Sequence, residues 1–393
     1  MLFFVVHIPR EFAYELIGFL RLLYAFISLT AIVCTNMKVL PLKQYANSTS
    51  ELLDWYDIHR RSLPWRADPG QRSNPYHVWL SEVMLQQTTV KAVKPYFERF
   101  IARWPTVENM AKAEIDEVLH LWAGLGYYAR ARNLHKCAQL ILKEYKGKFP
   151  DNEAELQKLP GIGRYTAAAI SAIVFGKRAT VMDVNVERVM ARIYSVSDPL
   201  PNSKSILFKH ASDMTPSKRA GDYVQAVMDL GATVCTVRKP KCSLCPWVRR
   251  CSGKHIAENL PAKLPKPKRL TRRGIAFWIS DIDGAVLLRK RPEKGLLGGM
   301  MEIPSTSWVE GDLPDKKTAV MEAPLHVETW EQISGIVKHT FSHFNLELHI
   351  LVATVAEQRP LLDNCIWCQP KDFEKQPLPT VMRKIAQLCL AKF

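Results

Sequence analysis

The chain has 393 residues, of which 47% are hydrophobic and 23% are charged, a balance typical of globular proteins that excludes a fibrous or a disordered chain. Lys and Arg residues number 54 against 38 Asp and Glu residues, which gives a formal net charge of +16 and favours a polyanionic partner such as nucleic acid. At roughly 150 residues per domain, this length predicts two or three domains.

Residues 1–36 are apolar enough to resemble a membrane anchor, but Glu11, Glu15 and Arg21 are among the charged residues that interrupt them. The longest uncharged run, 22–37, is shorter than the ~20 apolar residues that cross a bilayer, and no clear cleavage site of small residues follows it. We therefore expect no membrane-spanning segment, and a signal peptide stays open as the less favoured alternative. Met37 opens a segment typical of a cytosolic start, so we interpret residues 1–36 as an over-long translation or a dispensable extension.

Residues 37–256 are predicted to be mainly helical. From about Ser50 onward, apolar side chains recur every three or four residues, with almost no alternating strand pattern. One such series, between Val83 and Phe100, is broken by the polar run 86–89. The break predicts two helices, with a threonine capping the second and a loop between them that can face a ligand.

The composition changes at residues 257–273, where proline is mixed with lysine and arginine. Such a segment holds neither a helix nor a central strand, so we predict a linker and a domain boundary here. Residues 274–393 then show β-branched and aromatic runs on both sides of Asp283-Gly284, which predicts a hairpin, and a further strand at 346–356. The predicted fold class is a mainly α domain followed by an α+β domain.

Four of the nine cysteines fall within residues 235–251. They are Cys235, Cys242, Cys245 and Cys251. Four thiolates at this spacing can surround one centre, and either zinc or a [4Fe–4S] cluster accepts such a set. The basic side chains between them suit a path along a phosphate backbone. The separate pair Cys365 and Cys368 has no second pair nearby, so we interpret it as packing.

A glycine turn within residues 159–167 joins a polar helix to an apolar helix that runs to about Gly176. Gly161 and Gly163 allow another surface to approach the backbone closely, and the amides at the helix start can hold a phosphate. Alone, such a turn is usually only a connection between helices. Further along the chain Asp183 opens a new helix, where the plain structural role of an aspartate is an N-cap.

Together, the cysteine spacing, the glycine hairpin and the aspartate resemble the endonuclease III superfamily of DNA repair glycosylases. The resemblance implies a [4Fe–4S] cluster rather than zinc, and a helix-hairpin-helix in which Gly161, Gly163 and Arg164 contact DNA. Bifunctional members carry a lysine two residues after the second glycine, and its amine attacks the sugar. This chain has Tyr165 there. Because a tyrosine forms no Schiff base, we expect a monofunctional glycosylase.

Three further stretches, 64–66, 78–88 and 121–134, closely resemble the adenine DNA glycosylases, the MutY family, which remove adenine mispaired with 8-oxoguanine. The resemblance runs from about Ser50 to Cys251 and resumes in the C-terminal domain. It implies that the substrate is double-stranded DNA with adenine opposite 8-oxoguanine or guanine, and that the product is an abasic site in base excision repair. We also expect a monomer, located in a bacterial cytoplasm.

The same resemblance implies roles for residues of the helical domain. Glu82 protonates adenine and handles the water, and Asp183 stabilises or traps the sugar cation, with Tyr165 and Asn185 assisting. Paired carboxylates suit both tasks, and the adenine must leave the duplex to reach them. Leu125 would act as an apolar wedge from an exposed loop. The residues expected to contact DNA in this part are Arg66, Gln87, Thr88, Leu125 and Tyr127.

Residues 297–304 and 339–344 resemble the Nudix-like domain with which that family recognises 8-oxoguanine. The resemblance implies that Phe341, Ser342 and His343 form the loop that surveys the damaged base, with the serine reading it. The alternative interpretation is the start of a β-strand. The chain lacks, after Ile303, the acidic cluster that holds magnesium in Nudix hydrolases, so we expect binding without pyrophosphate hydrolysis.

Two other functions use the same motifs. A non-catalytic iron–sulfur protein that binds DNA or signals redox state would keep the cysteines and the hairpin but lose Glu82 or Asp183, and both are present. A Nudix hydrolase with a helical DNA-binding domain would need the missing acidic cluster. The sequence favours neither.

Overall fold

In a computed structural model of the chain, the described residues are 43–265, 268–313, 315–355 and 362–392, with side chains described from Thr49 onward. The extension predicted at 1–36 lies outside them. Contacts divide the chain into two units, with the boundary after Glu51. The second unit contains the candidate active site and the β-sheet, which are both described below. In the described ranges, no helix is long and apolar enough to cross a membrane.

The first half of the chain is a succession of helices, as predicted. These are α1 Lys43–His59, α2 Pro75–Leu85, α3 Val90–Arg103, α4 Val107–Ala111, α5 Ile115–Trp122, α6 Ala129–Tyr145, α7 Glu153–Lys158, α8 Arg164–Phe175, α9 Val184–Ile193, α10 Lys204–Met214 and α11 Ala220–Thr233. Short 3-10 helices follow at Cys242–Leu244 and Lys254–Asn259. We call the part from Leu52 to Asn259 the helical region.

Polar side chains begin several of these helices by accepting backbone N–H groups. The Thr89 hydroxyl accepts from the Ala92 amide at the start of α3, which confirms the predicted break and its threonine cap. Asp183 caps α9 in the same way. The apolar helix α8 ends at Gly176, whose φ of 65° lies in the left-handed region that favours glycine.

The central helix of this region is α2, which is buried along most of its length. Trp79, Leu80 and Met84 are all fully buried in a core that also contains Phe100 and Trp122. A helix that is apolar all round must lie inside the protein. The polar side chains of Ser81 and Glu82 on α2 are therefore withdrawn from water.

A mixed sheet occupies the part from Leu270 to Leu390, which we call the sheet region. Its elements are β1 Leu270–Asp281, β2 Val286–Lys290, β3 Met301–Glu302, β4 Val309–Glu310, α12 Lys316–Val320, β5 Glu331–Gln332, β6 Val337–Thr340, β7 Phe344–Val355, β8 Cys365–Cys368 and α13 Thr380–Leu390. The main strand order is β3-β2-β1-β7-β5, with β4 beside β1, β6 beside β7 and β8 beside β2. The α+β class is confirmed.

The sheet is built around β1 and β7, which pair in parallel along their whole length. Successive side chains of a strand point to opposite faces. Ala276 and Trp278 therefore pack in a core with α13, whereas Phe277 and Ile279 pack in a second core with α12. The strand predicted at 346–356 is confirmed as part of β7.

The hairpin predicted at Asp283-Gly284 is confirmed, because β1 and β2 pair antiparallel on either side of it. However, β1 begins at Leu270, inside the segment 257–273 that was predicted to be a linker. The basic residues there are compatible with a strand because a neighbouring strand supplies carboxylates. Arg273 Nε, for example, lies 3.1 Å from Glu347 Oε2 on β7.

A substitution at Ile350, which is fully buried on β7, tests the core of the sheet region. Ile350→Ala should lower the free energy of unfolding by about 2–5 kcal/mol, because the change removes buried methyl groups and leaves a cavity. Ile366→Ala is the matched control, since Ile366 on β8 is 41% exposed. Thermal unfolding followed by circular dichroism measures both variants. Equal shifts of the Tm would contradict the core described above.

Candidate active site

Glu82 places a carboxyl group in the interior of the helical region. It lies on α2 and is only 7% exposed. Burial raises the pKa of Glu82 to about 7; a hydrogen bond from Tyr165 and the Arg66 charge oppose the rise, and the Asp183 charge adds to it. A carboxyl group with such a pKa keeps its proton in a large fraction of molecules at neutral pH. It can therefore act as an acid.

The hydroxyl group of Tyr165 orients this carboxyl group. Tyr165 lies in the first turn of α8, where its Oη donates to Met228 Sδ at 3.7 Å and lies near enough to Glu82 for hydrogen bonding to lower the pKa of that carboxyl group. Burial, followed by the charges of Glu82 and Asp183, raises the pKa of Tyr165 well above its ordinary value. The phenol keeps its proton and remains a donor.

A second carboxylate, that of Asp183, is fixed at the start of α9. Its Oδ1 accepts from the Asn185 and Val186 amides at 2.9 and 2.7 Å, and its Oδ2 accepts from Asn185 Nδ2 at 2.7 Å. The predicted N-cap is thus confirmed. The half-buried carboxylate lies close enough to Glu82 for its charge to raise the pKa of that group.

Asn185 also connects Asp183 to the cysteine-rich loop. Its Oδ1 accepts from Arg188 Nη2 at 2.8 Å, and Arg188 donates onward to the carbonyls of Gly231 and Cys235 at 2.6 and 2.8 Å. A Cβ at Gly231 would lie 2.7 Å from Asn185 Cβ. Only glycine permits this close approach of α9 and α11.

The four predicted cysteines line one small cavity after α11. The fully buried Arg192 holds their loop, because its Nη1 lies 3.3 Å from Cys235 Sγ and 2.7 Å from the Thr236 carbonyl, and Cys251 Sγ lies 3.3 Å from the Arg192 carbonyl. Four thiols around one cavity form a donor set that suits zinc or an iron–sulfur cluster. Over the described residues, no three His, Cys, Asp or Glu side chains form a group that could hold a metal ion as they stand.

Arg66, predicted to contact DNA, instead forms a buried ion pair with Asp229. The guanidinium group, 7% exposed, donates two hydrogen bonds of 2.6 and 2.8 Å to that fully buried carboxylate, and Arg61 Nε lies 2.5 Å from it. Arg66 is therefore held inside the helical region, and its contact with DNA stays a prediction. The cause is a partner 163 residues away, which no local motif reveals. Sequence reasoning missed Asp229, although a carboxylate in the mostly apolar α11 was an available signal.

The predicted helix-hairpin-helix is formed by α7, the turn that ends at Gly163, and α8. Gly161 has a φ of 78°, and a Cβ there would lie 2.9 Å from Asn133 Cβ, so the turn requires glycine. Gly161, Gly163 and Arg164 are all exposed. The Arg164 guanidinium lies over the Phe208 ring at 4.4 Å. The backbone amides at the start of α8 are thus presented at the surface, where a phosphate can approach.

Two loops beside α2 expose Gln87 and Tyr127 but not Leu125. Gln87 and Tyr127 are exposed and adopt φ values of 57° and 49°, whereas Thr88 is half-buried. Leu125 is 7% exposed and packs in the core of the helical region, so its expected exposure is wrong, whereas its role as a wedge stays a prediction. The loop folds the leucine inward, because the Leu125 amide donates to the Trp122 carbonyl at 3.1 Å.

Arg130, which sequence reasoning also missed, joins these two loops. It donates to the carbonyls of Val83 and Met84 at 3.0 and 2.9 Å, and to those of Leu125 and Gly126 at 3.1 and 3.2 Å. Burial lowers the pKa of Arg130 to about 10, which still leaves it charged at neutral pH. A cation at the carboxyl end of α2 also suits the helix dipole.

Phe341, Ser342 and His343 form a turn between β6 and β7 rather than the start of a strand. The Phe341 ring stacks on Phe344 at 4.8 Å, and this contact leaves Ser342 and His343 exposed. Ser342 Oγ lies 2.6 Å from Tyr127 Oη in the helical region. The turn and Tyr127 line one cavity of about 760 Å³ between the two regions.

Comparison with known proteins relates both regions to DNA repair. Residues 80–214 match the family model of the HhH-GPD superfamily of base excision DNA repair proteins, and residues 275–388 match that of the NUDIX domain. The chain is 34% identical to the adenine DNA glycosylase of Homo sapiens over 85% of this chain and 72% of that protein. It is 34% identical to the adenine DNA glycosylase of Buchnera aphidicola subsp. Acyrthosiphon pisum over 86% of this chain and 95% of that protein. Among solved structures, a thermostable thymine-DNA glycosylase shares 30% identity and a TM-score of 0.48, over 55% of this chain and 98% of that one.

The raised pKa of Glu82 makes stability depend on pH. Between about pH 4.5 and pH 7 the folded protein keeps a proton that the unfolded chain releases, so the free energy of unfolding falls as the pH rises. The Glu82→Gln variant has no such proton, so its free energy of unfolding does not fall in this way. As the pH rises from about 4.5 to 7, the difference in free energy of unfolding between variant and wild type should shift in favour of the variant by up to about 3 kcal/mol, and above pH 7 it should level off.

The measurement is chemical unfolding of wild type and variant at a series of pH values. Glu98→Gln makes the same change at an exposed position of α3 and should follow the wild-type curve. If Glu82→Gln also follows that curve, Glu82 is not the buried carboxyl group described above.

Proposed function

The chain belongs to the adenine DNA glycosylase family, and we propose that it hydrolyses the N-glycosidic bond of adenine paired with 8-oxoguanine or guanine in double-stranded DNA. The product is an abasic site, as base excision repair requires. The observation that carries this proposal is a buried carboxyl group, that of Glu82, close enough to the half-buried Asp183 and to Tyr165 for their electrostatic effects on its pKa to be felt.

Glu82 supplies the acid. Adenine is a poor leaving group until its ring is protonated, and a carboxyl group with a pKa of about 7 donates a proton readily at neutral pH. The proton moves from Glu82 to adenine as the glycosidic bond breaks. The resulting Glu82 carboxylate then accepts a proton from the water that adds to the sugar, so the acid is regenerated.

Asp183 stabilises the sugar. Bond breaking leaves the sugar with the character of an oxocarbenium ion, and a fixed carboxylate is suited to stabilise or trap it. Two backbone amides and Asn185 hold the Asp183 oxygens in place. Because these donors are in position before the reaction, little reorganisation is needed when the positive charge develops. The adenine reaches this site only after it leaves the base stack.

The reaction ends without strand cleavage. A glycosylase with lyase activity uses an amine to form a Schiff base, and the hydroxyl of Tyr165 cannot replace it. Tyr165 instead orients Glu82 through its hydrogen bond. The protein is therefore monofunctional.

The two rival functions are disfavoured by particular contacts. A non-catalytic DNA-binding protein has no use for a buried acid beside a second carboxylate. For a Nudix hydrolase, Glu302 is nearly fully buried and forms ion pairs with Arg289 and Arg291, so it is already neutralised. The helix α12 begins with Lys316 and Lys317, which repel magnesium. The bacterial cytoplasm and the monomer stay predictions.

Recognition of 8-oxoguanine falls to the cavity between the two regions. The exposed Ser342 offers a hydroxyl group that both donates and accepts, and Gln87 faces the same cavity from the helical region. The aromatic ring of Tyr127 provides a stacking surface for a base. Together these groups support the assignment of the cavity to the base opposite adenine.

We assign a [4Fe–4S] cluster to Cys235, Cys242, Cys245 and Cys251, whose four thiols line one cavity. When bound, such a cluster cross-links the loop through four metal–thiolate bonds and contributes no step to base removal. The loop is also tied to Arg192 and Arg188, so its order is transmitted to α9, the helix that Asp183 caps.

The function is tested by single-turnover reactions of the full chain on a duplex with adenine opposite 8-oxoguanine. Strand breaks should appear mainly after hot alkali, because adenine is removed without lyase action. Glu82→Gln should slow base release by at least about a hundredfold, the usual contribution of a general acid, while duplex binding persists.

Glu98→Gln, the exposed control on α3, should release adenine at the wild-type rate. Normal release by Glu82→Gln would remove Glu82 from the mechanism. Breaks of equal extent without alkali, together with an adduct trapped by borohydride, would contradict the monofunctional assignment.

The cluster is tested by metal analysis of purified full chain. We expect iron and acid-labile sulfide in equal amounts, and Cys245→Ser should lose most of both. The control is Cys368→Ser, because Cys368 packs in the sheet region and should leave the iron content unchanged. Zinc without iron in the wild type would overturn the assignment of the cluster.

A further inference from the structure

A single side chain of the helical region, Arg132 on α6, holds a loop of the sheet region. Its Nη1 donates to the Gly298 carbonyl and its Nη2 donates to the Glu293 carbonyl at 3.2 Å. A guanidinium group presents two donors in a fixed fork, which suits two converging carbonyl groups. The contact therefore defines both the distance and the orientation of the loop.

The loop is shaped to receive this fork. It folds back on itself through hydrogen bonds from the Gly298 amide to the Gly295 carbonyl at 3.2 Å, and from the Gly299 amide to the Pro292 carbonyl at 3.0 Å. Gly299 has a φ of 72°, and a Cβ there would lie 3.3 Å from Arg132 Nη1. A larger residue would push the guanidinium group away.

Apolar side chains on either side of this contact join the two regions. Met300 is fully buried in the core of the helical region, although it directly precedes β3 of the sheet region. Leu297 packs against the cores of both regions. The loop is thus the point at which the sheet region is inserted into the helical region.

The same end of α6 lies across the cavity from the turn formed by Phe341, Ser342 and His343, which we call the surveying turn. Tyr127 precedes α6 by two residues, and its Oη lies 2.6 Å from Ser342 Oγ. Arg132, Gly298, Tyr127 and Ser342 all line the cavity of about 760 Å³. The distance between the two walls of this cavity therefore depends on how the loop is seated on Arg132.

We propose that Arg132 is a positioning residue for lesion recognition. By holding the loop 292–299, it sets the place of Ser342 relative to the helical region, and so sets the preference for 8-oxoguanine over guanine opposite adenine. It acts through the seating of the sheet region and not by touching the adenine. The inference rests on the proposed function.

The test compares single-turnover rates of adenine release opposite 8-oxoguanine and opposite guanine. Arg132→Ala should lower the ratio of the two rates by about tenfold, the equivalent of one hydrogen bond to a charged group, mainly through a slower reaction opposite 8-oxoguanine. Arg132→Lys keeps the charge but not the fork, and should restore only part of the ratio. Lys136→Ala removes the same charge from an exposed position of α6 and should leave the ratio unchanged.

A double-mutant cycle with Ser342→Ala tests whether Arg132 acts on the preference through Ser342. Ser342→Ala alone should lower the ratio. Adding Arg132→Ala to it should change the ratio little further, because both changes impair the same recognition by Ser342. A ratio that Arg132→Ala leaves intact would overturn the proposal. Fully additive effects would overturn the assignment of Ser342 as the group that Arg132 positions.

Hydrogen exchange of segment 292–301 gives a readout that does not depend on activity. Arg132→Ala should speed exchange of the Gly299 amide and its neighbours, with the Tm of the helical region as the check on folding. Unchanged exchange would show that Arg132 does not hold the loop 292–299. If the wild-type chain released no adenine, the proposed function would fail, and the exchange measurement would still decide whether Arg132 holds the loop.

Discussion

The chemistry of this protein depends on the burial of one carboxyl group. Because α2 is buried along most of its length, water solvates the ionised form of Glu82 poorly, and the pKa of Glu82 rises to about 7. The groups around it limit this effect. Tyr165 donates to the carboxyl group, and Arg66 adds a positive charge that Asp229 in turn holds in place. The acid is thereby kept usable rather than permanently neutral, and the ion pair that seemed to remove Arg66 from function contributes to that balance.

The start of α6 brings the two regions together. Arg130 and Arg132 lie on the same helix, yet the first donates to loops of the helical region and the second donates to a loop of the sheet region. Both bind backbone carbonyl groups, whose positions follow the course of the chain rather than the rotamer of a side chain. One helix, α6, therefore positions both the loops beside Glu82 and the loop of the sheet region.

Much of this architecture could be predicted from local sequence, and the errors share one cause. The Thr89 cap, the glycine hairpin, the Asp183 cap and the β-hairpin at Asp283-Gly284 each depend on a few adjacent residues, and the structure confirms them. The burial of Arg66 and Leu125 was not predicted because the partner of each side chain lies elsewhere in the fold. Asp229 is far from Arg66 in sequence, and the core that receives Leu125 is assembled from several helices. The contacts of Arg132 were missed for the same reason, since glycine carbonyls leave no trace in a residue pattern.

The parallel pairing of β1 and β7 has a consequence for the order in which the molecule is made. Parallel strands cannot be joined by a tight turn, so β1 waits for its partner until nearly the whole sheet region has left the ribosome. The core beneath the surveying turn also needs α13, the last helix. The helical region, made first and rich in local contacts, is free to fold earlier. During synthesis there is thus an interval in which the half with Glu82 and Asp183 exists without the half that carries Ser342.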